Sequence, residues 1–194
     1  MRFRRLALAI CTLAFSTCLL SSASALDHDW KVTVYGAQIT ADSLGDTLTF
    51  QATYEDSYLV VLAVSRRIFS YRELIGIELE GQVAKHFGIQ DHWELNALPV
   101  IRWLPFPWDG YVDTSLAVGA GLSYALETPE IEAVGVTDTP KLLGYLMFEI
   151  AASLPALPHW SLVARVHHRS GADGLFSGRK DASNAVGLGI RYGF

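Results

Sequence analysis

The chain has 194 residues, 20 of them acidic and 15 basic, and it is 51% hydrophobic with a mean hydropathy of +0.25. That acidic balance excludes a nucleic-acid-binding surface, which needs clustered cations. Beyond the N-terminal segment no stretch reaches the roughly 18 uninterrupted apolar residues of a membrane-spanning helix, so the high hydropathy must be housed in some other way.

Residues 1–25 read as a signal peptide. Arg2, Arg4 and Arg5 form a basic start, LALAICTLAFSTCLL forms the apolar core, and Ala23-Ser24-Ala25 gives a small-x-small cleavage site. Both cysteines, Cys11 and Cys18, lie inside this segment, so the exported part, expected as one domain over 26–194, has none and uses no disulfide. It keeps 12 basic and 20 acidic residues. An exported, apolar chain without a spanning helix satisfies its backbone in a membrane only as a closed barrel.

The spacing predicts eight strands, at roughly 29–40, 57–68, 74–87, 92–104, 110–125, 141–154, 159–170 and 184–194. The fold expected is an all-β, eight-stranded antiparallel transmembrane barrel of the outer membrane. The gaps after even strands are short and three of those after odd strands are long, the asymmetry of periplasmic turns and outer loops. Both termini then fall on the periplasmic side.

Parity separates two faces. On the third strand Ile75, Ile77, Leu79 and Val83 alternate with Glu78, Glu80 and Gln82. On the fourth, Trp93, Leu95, Ile101 and Trp103 alternate with Glu94, Asn96 and Arg102, and on the sixth Leu146, Phe148 and Ile150 alternate with Tyr145 and Glu149. The charged parity is assigned to a lumen filled by side chains, with Lys31, Arg165, Arg169 and Arg191 as partners for the acids. Trp30, Trp103, Trp108 and Trp160 collect at the periplasmic end with Tyr192 and Phe194, as an interfacial girdle. Pro99 inside the fourth strand predicts a bulge or local break. Gly119, Gly121, Gly187 and Gly189 are read as close-packing positions.

The closing strand alternates Val186, Leu188, Ile190, Tyr192 and Phe194 with small residues and Arg191, one row to lipid and the other to the lumen. Its terminal aromatic makes the barrel-assembly machinery an expected partner, together with outer-membrane lipids. On the seventh strand Ser161, Val163, Arg165, His167 and Arg169 share the charged parity, so His168 and Ser170 point outward, towards lipid. Asn184 has the same outward parity. It stands ten residues before the terminus, roughly 33 Å of strand and about 25 Å of height once tilted, which is the outer edge of the apolar band. Residues i and i+2 on a strand are roughly 6.6 Å apart at the backbone, close enough for a leaning imidazole to reach a serine hydroxyl. Ordinary rim residues of the same types would need no chemistry.

A signal-bearing eight-stranded barrel with His168-Arg169-Ser170 near the end of its seventh strand resembles the lipid A 3-O-deacylases of the PagL type. The resemblance implies an outer-membrane serine esterase acting on an acyl ester of lipid A, within lipopolysaccharide. It implies Ser170 as nucleophile and His168 as base. Two positions depart from the family pattern: Gly171 follows the serine where the family has asparagine, and the family's orienting glutamate falls on Asn184. Asn184 or, in the adjoining loop, Asp181 is the expected orienting residue. Backbone N–H groups of Gly171, Ala172 or Gly174 are candidates for an oxyanion hole.

No cofactor is expected. His167 and His168 point to opposite faces, His86 and His92 are assigned to different strands, and no metal site is predicted. Glu127, Glu130, Glu132 and Asp138 make an acidic outer loop, read as solvated. Two other readings stand beside the esterase. One is a non-enzymatic structural or adhesive barrel working through its long loops at 41–56 and 126–140. The other is acyl transfer through an interior hydrocarbon pocket, which Glu78, Glu80, Glu149 and Arg165 on the interior parity oppose.

Overall fold

A computed structural model of the chain describes residues 28–129, 131, 140–171 and 183–194. The signal-peptide segment 1–25 lies outside the described residues, as do Glu130, Glu132, Asp138, Ala172, Gly174 and Asp181.

Eight antiparallel strands close in sequence order into one barrel: β1 (Trp30–Thr40), β2 (Tyr54–Tyr71), β3 (Ile75–Gly88), β4 (Trp93–Trp103), β5 (Asp113–Ala125), β6 (Leu142–Ser153), β7 (Trp160–Ser170) and β8 (Ser183–Gly193). Closure runs through β1 and β8, from Lys31 opposite Gly193 to Thr40 opposite Asn184. The terminal residue joins in, because Trp30 N donates to Phe194 O at 3.1 Å and Phe194 N to Trp30 O at 2.9 Å. One short helix, α1 (Leu44–Leu48), sits in the β1–β2 connection and packs on β7 and β8.

The expected strands are all present. β2 is longer than its hydrophobic alternation suggests, and it turns into β3 through Arg72 and Glu73, both in the left-handed region (φ 49° and 55°). Two such residues in a row make the tight primed turn that matches the twist of a hairpin, here without the usual glycine or asparagine. A bulge between Arg67 and Phe69 then puts Ile68 and Phe69 side by side on the outer surface. Pro99 does less damage than expected. β4 stays continuous and in register, and only the pairing of Leu98 and Pro99 with β5 is lost. Proline has no N–H to donate, and the ladder resumes at Val100.

The two parities hold throughout. Leu79, Val83, Trp93, Ile101, Leu162, Leu188, Ile190 and Tyr192 lie on the outer surface, while Glu78, Glu80, Glu94, Glu149, Lys31, Arg102, Arg165, Arg169 and Arg191 are buried within. An exposed apolar outer wall around a charged interior is stable only where the surroundings are hydrocarbon. Trp30, Trp103, Trp108, Trp160, Tyr192 and Phe194 ring the end that carries the termini. Tyr58, Phe87, Trp93 and Tyr124 ring the other, the loop end.

The lumen is solid. Glu149 accepts from Arg102 (2.7 Å), Arg165 (2.5 Å) and Arg191 (2.5 Å). Glu78 accepts from Lys31 and Arg102, both at 2.8 Å, and Arg165 grips both oxygens of Glu80 at 2.8 and 2.9 Å. Every such ion has been stripped of water, so each depends on its partners for solvation. Glycines make room for this packing. A Cβ on Gly189 would stand 2.2 Å from Val34 O and 2.4 Å from Tyr35 Cβ, and one on Gly121 only 2.1 Å from Ala97 O. The interior expected to oppose a hydrocarbon pocket is thus occupied by ion pairs.

Candidate active site at the loop end of β7 and β8

Outward parity brings His168 and Asn184 together as direct cross-strand partners. His168 Nδ1 lies 2.6 Å from Asn184 Oδ1, and Asn184 Nδ2 donates to the carbonyl oxygen of Asp42 at 2.8 Å. That second bond fixes which way the amide points. With its oxygen towards the ring, Asn184 can only accept, so Nδ1 carries the proton. Ser170 follows two residues along the same row, at the end of β7.

These side chains are on the outer face, as their parity predicts, but they are not bathed in lipid. His168 is 3% exposed, Ser170 7% and Asn184 2%, against 69% for Leu162 lower on the same strand. The segment between β1 and β2 folds over this corner of the barrel. It is an ordered structure in its own right. Asp42 Oδ2 accepts from Thr53 N at 2.5 Å, Ser43 caps α1 through Asp46 N, and the buried Thr47 meets Thr40 hydroxyl to hydroxyl at 2.9 Å. The segment at 41–56, expected as a long outer loop, instead carries α1, which packs on β7 and β8. Its Asp42 carbonyl completes the hydrogen-bonded series to His168.

The neighbouring His167 points inward. Its Nε2 lies 2.9 Å from Glu94 Oε1, and its Nδ1 lies 3.1 Å from the hydroxyls of both Tyr35 and Tyr145. Glu94 can only accept, so here Nε2 carries the proton, the opposite tautomer from His168.

His86 and His92 were expected to be kept apart by sitting on different strands. The β3–β4 register instead sets them face to face: Ala84 pairs with Glu94, and two residues nearer the connection His86 N donates to His92 O at 3.0 Å. Their rings stack with centroids 4.1 Å apart, and His86 Nε2 lies 3.0 Å from Glu94 Oε2. His92, outside the strands, is pushed down to about 4 by burial and then by the charge of His86, so its ring is neutral at neutral pH. The sequence signal for this trio is a histidine at i and i+6 with a glutamate at i+8 across a short hairpin. Period two places the last two on one face, and the hairpin brings back the first.

Fold, wall and lumen together define an eight-stranded barrel of the outer-membrane type. No protein-family model matches the sequence, and no curated protein is similar to it. Among solved structures, the chain is similar to the outer membrane enzyme PagL, with a TM-score of 0.61 and 12% identity over 84% of this chain and 99% of that one. It is also similar to Neisserial surface protein A, with a TM-score of 0.53 and 14% identity over 85% of this chain and 97% of that one. At these identities the likeness establishes the shared barrel fold.

Proposed function

We propose that the chain is an exported outer-membrane serine esterase that removes an ester-linked acyl chain from lipid A. The reading rests above all on the orientation of His168. An asparagine whose own direction is fixed by Asp42 O holds Nδ1 as the donor, which presents Nε2 as a base on the row that also carries Ser170. In the proposed reaction Ser170 Oγ attacks the ester carbonyl and passes its proton to His168 Nε2. The tetrahedral intermediate collapses, the protonated ring gives the proton to the leaving sugar oxygen, and an acyl-serine remains. Water, deprotonated by the same ring, then releases the fatty acid and restores the serine. Asn184 keeps the imidazole in the working tautomer throughout. A site on the outer face at the loop end would meet lipopolysaccharide by lateral diffusion, with the loop end facing outward and the termini periplasmic.

The burial of Ser170 and His168 favours a second reading, in which they anchor the β1–β2 segment of a non-enzymatic barrel. One comparison separates the two. Purified wild type and Ser170→Ala are incubated in detergent with lipid A, and the products are read by mass spectrometry. The esterase reading expects loss of one acyl chain with wild type and none with the variant, at unchanged barrel content. If wild type releases no acyl chain from several lipid A species, the structural reading stands. If Ser170→Ala is as active as wild type, the nucleophile lies elsewhere.

A further inference from the structure

We propose that the loop end of the lumen holds a zinc-type transition-metal site made by His86, His92 and Glu94, with Gln90 orienting His86. The three side chains offer ligand atoms that all lie within 4.8 Å of one another, and all three are buried. Two ligands bound tetrahedrally at 2.0–2.1 Å stand about 3.3 Å apart. His86 Nε2 and Glu94 Oε2 are already at 3.0 Å, so the edge of a coordination polyhedron exists before any ion arrives.

His92 supplies the independent observation. It is 2% exposed, yet neither ring nitrogen has a hydrogen-bond partner. A buried imidazole normally finds at least one partner, and leaving both nitrogens bare is costly. The stacked rings are 13° from parallel, so both cannot aim at one ion as they stand. No side-chain hydrogen bond holds His92 in this orientation, so turning its ring towards the site breaks none.

Gln90 points the same way. Its Nε2 lies 3.1 Å from His86 Nδ1, and its buried Oε1 has no partner. With a metal on Nε2, His86 carries its proton on Nδ1, and a half-turn of the Gln90 amide presents Oε1 to accept it. One ion therefore gives His92 a partner, and the Gln90 amide can follow the proton of His86 in either state. This is the outer-sphere support that metal-bound histidines usually have. His167 holds the other oxygen of Glu94 at 2.9 Å and would leave Oε2 to the metal. Arg169 Nε stands 3.7 Å from Oε2, so the local field is not strongly negative. Binding must come from imidazole donor strength, which selects zinc, copper or nickel over magnesium and calcium.

The test uses untagged protein refolded in detergent. Equilibrium dialysis against Zn²⁺ should load one ion per chain, and Ca²⁺ should not load. Co²⁺ in its place should give the visible bands of a low-coordinate nitrogen–oxygen site. His92→Ala should keep the barrel intact and weaken zinc binding at least ~10-fold. His159→Ala, at the stacked His28–His159 pair on the termini end, should leave binding unchanged. Failure of wild type to retain zinc overturns the proposal, as does wild-type affinity in His92→Ala or loss of binding in His159→Ala. Should His92→Ala not fold, the cobalt spectrum of wild type decides, and its absence overturns the site.

Discussion

His167 and His168 are adjacent in the chain, at one depth in the barrel and almost equally buried, yet they are held differently. His167 is locked from both sides by Glu94, Tyr35 and Tyr145, inside a lumen where every partner is needed to solvate a neighbour. His168 is held on Nδ1 by a neutral amide on the outer face, beneath a segment that belongs to a connection and not to the barrel. The first arrangement fixes a ring by consuming its hydrogen-bonding capacity. The second fixes a ring through its Nδ1 bond to Asn184. Burial alone does not separate the two rings; the partner set and the tautomer do.

Exchanging the pair gives the largest contrast. His168→Ala should cut acyl-chain release from lipid A by about 10⁴-fold while leaving heat-modifiable mobility unchanged, because residues acting as one unit fail together. His167→Ala should leave release within a few-fold of wild type and lower stability towards urea. If His167→Ala abolishes release in a well-folded barrel, the division between the two faces is wrong.

Inside the lumen, Glu149→Ala should be the most damaging single change. It strips one shared carboxylate from Arg102, Arg165 and Arg191, all buried. A broken buried pair costs roughly 3–5 kcal/mol, and here three cations lose the same partner. Urea unfolding in detergent measures it. A loss under ~1 kcal/mol would mean that water enters the lumen and solvates the arginines, which the packed interior argues against.

Most of the frame was legible in the alternation. Strands three, four and six each put acids on one parity and large apolar residues on the other, and a period of two leaves no other assignment once one face meets hydrocarbon. The outward placement of His168, Ser170 and Asn184 followed from the same count. What alternation does not carry is contact from a connection. Asp42 and Asn184 are 142 positions apart, and nothing in the composition of 41–53 says which wall it lies against. The His86–His92 stack was hidden differently. His92 lies just before β4, and only the hairpin register places it opposite His86.

On the outer face, Asn184→Ala should be milder than His168→Ala. It removes one hydrogen bond to a ring that is charged during turnover, worth about 1.5–3 kcal/mol, or ~10–100-fold in rate. The ring stays in place but samples the wrong tautomer, so the loss should appear in kcat with KM nearly unchanged. A loss as large as that of His168→Ala would make Asn184 a full member of the reacting group and not its support.

The smallest expected effect tests whether the segment over the site is a lid. Ser170 is 7% exposed, and on the esterase reading residues 41–53 would have to lift for an acyl chain to reach it. Thr47 ties that segment down, fully covered and bonded to Thr40 at 2.9 Å. The hydroxyl pair contributes about 1 kcal/mol, and removing it with Thr47→Ala would raise a minor open population by roughly five-fold. Phe50, at the edge of the segment, is 86% exposed in the left-handed region (φ 58°). The expected result is a two- to five-fold rise in acyl-chain release, measured at low lipid A concentration, with barrel unfolding in urea unchanged, because no strand pairing passes through Thr47. A fall of similar size would show the opposite dependence. The segment would then serve the site by pressing Asp42 against Asn184, and lifting it would release the imidazole that the site needs held.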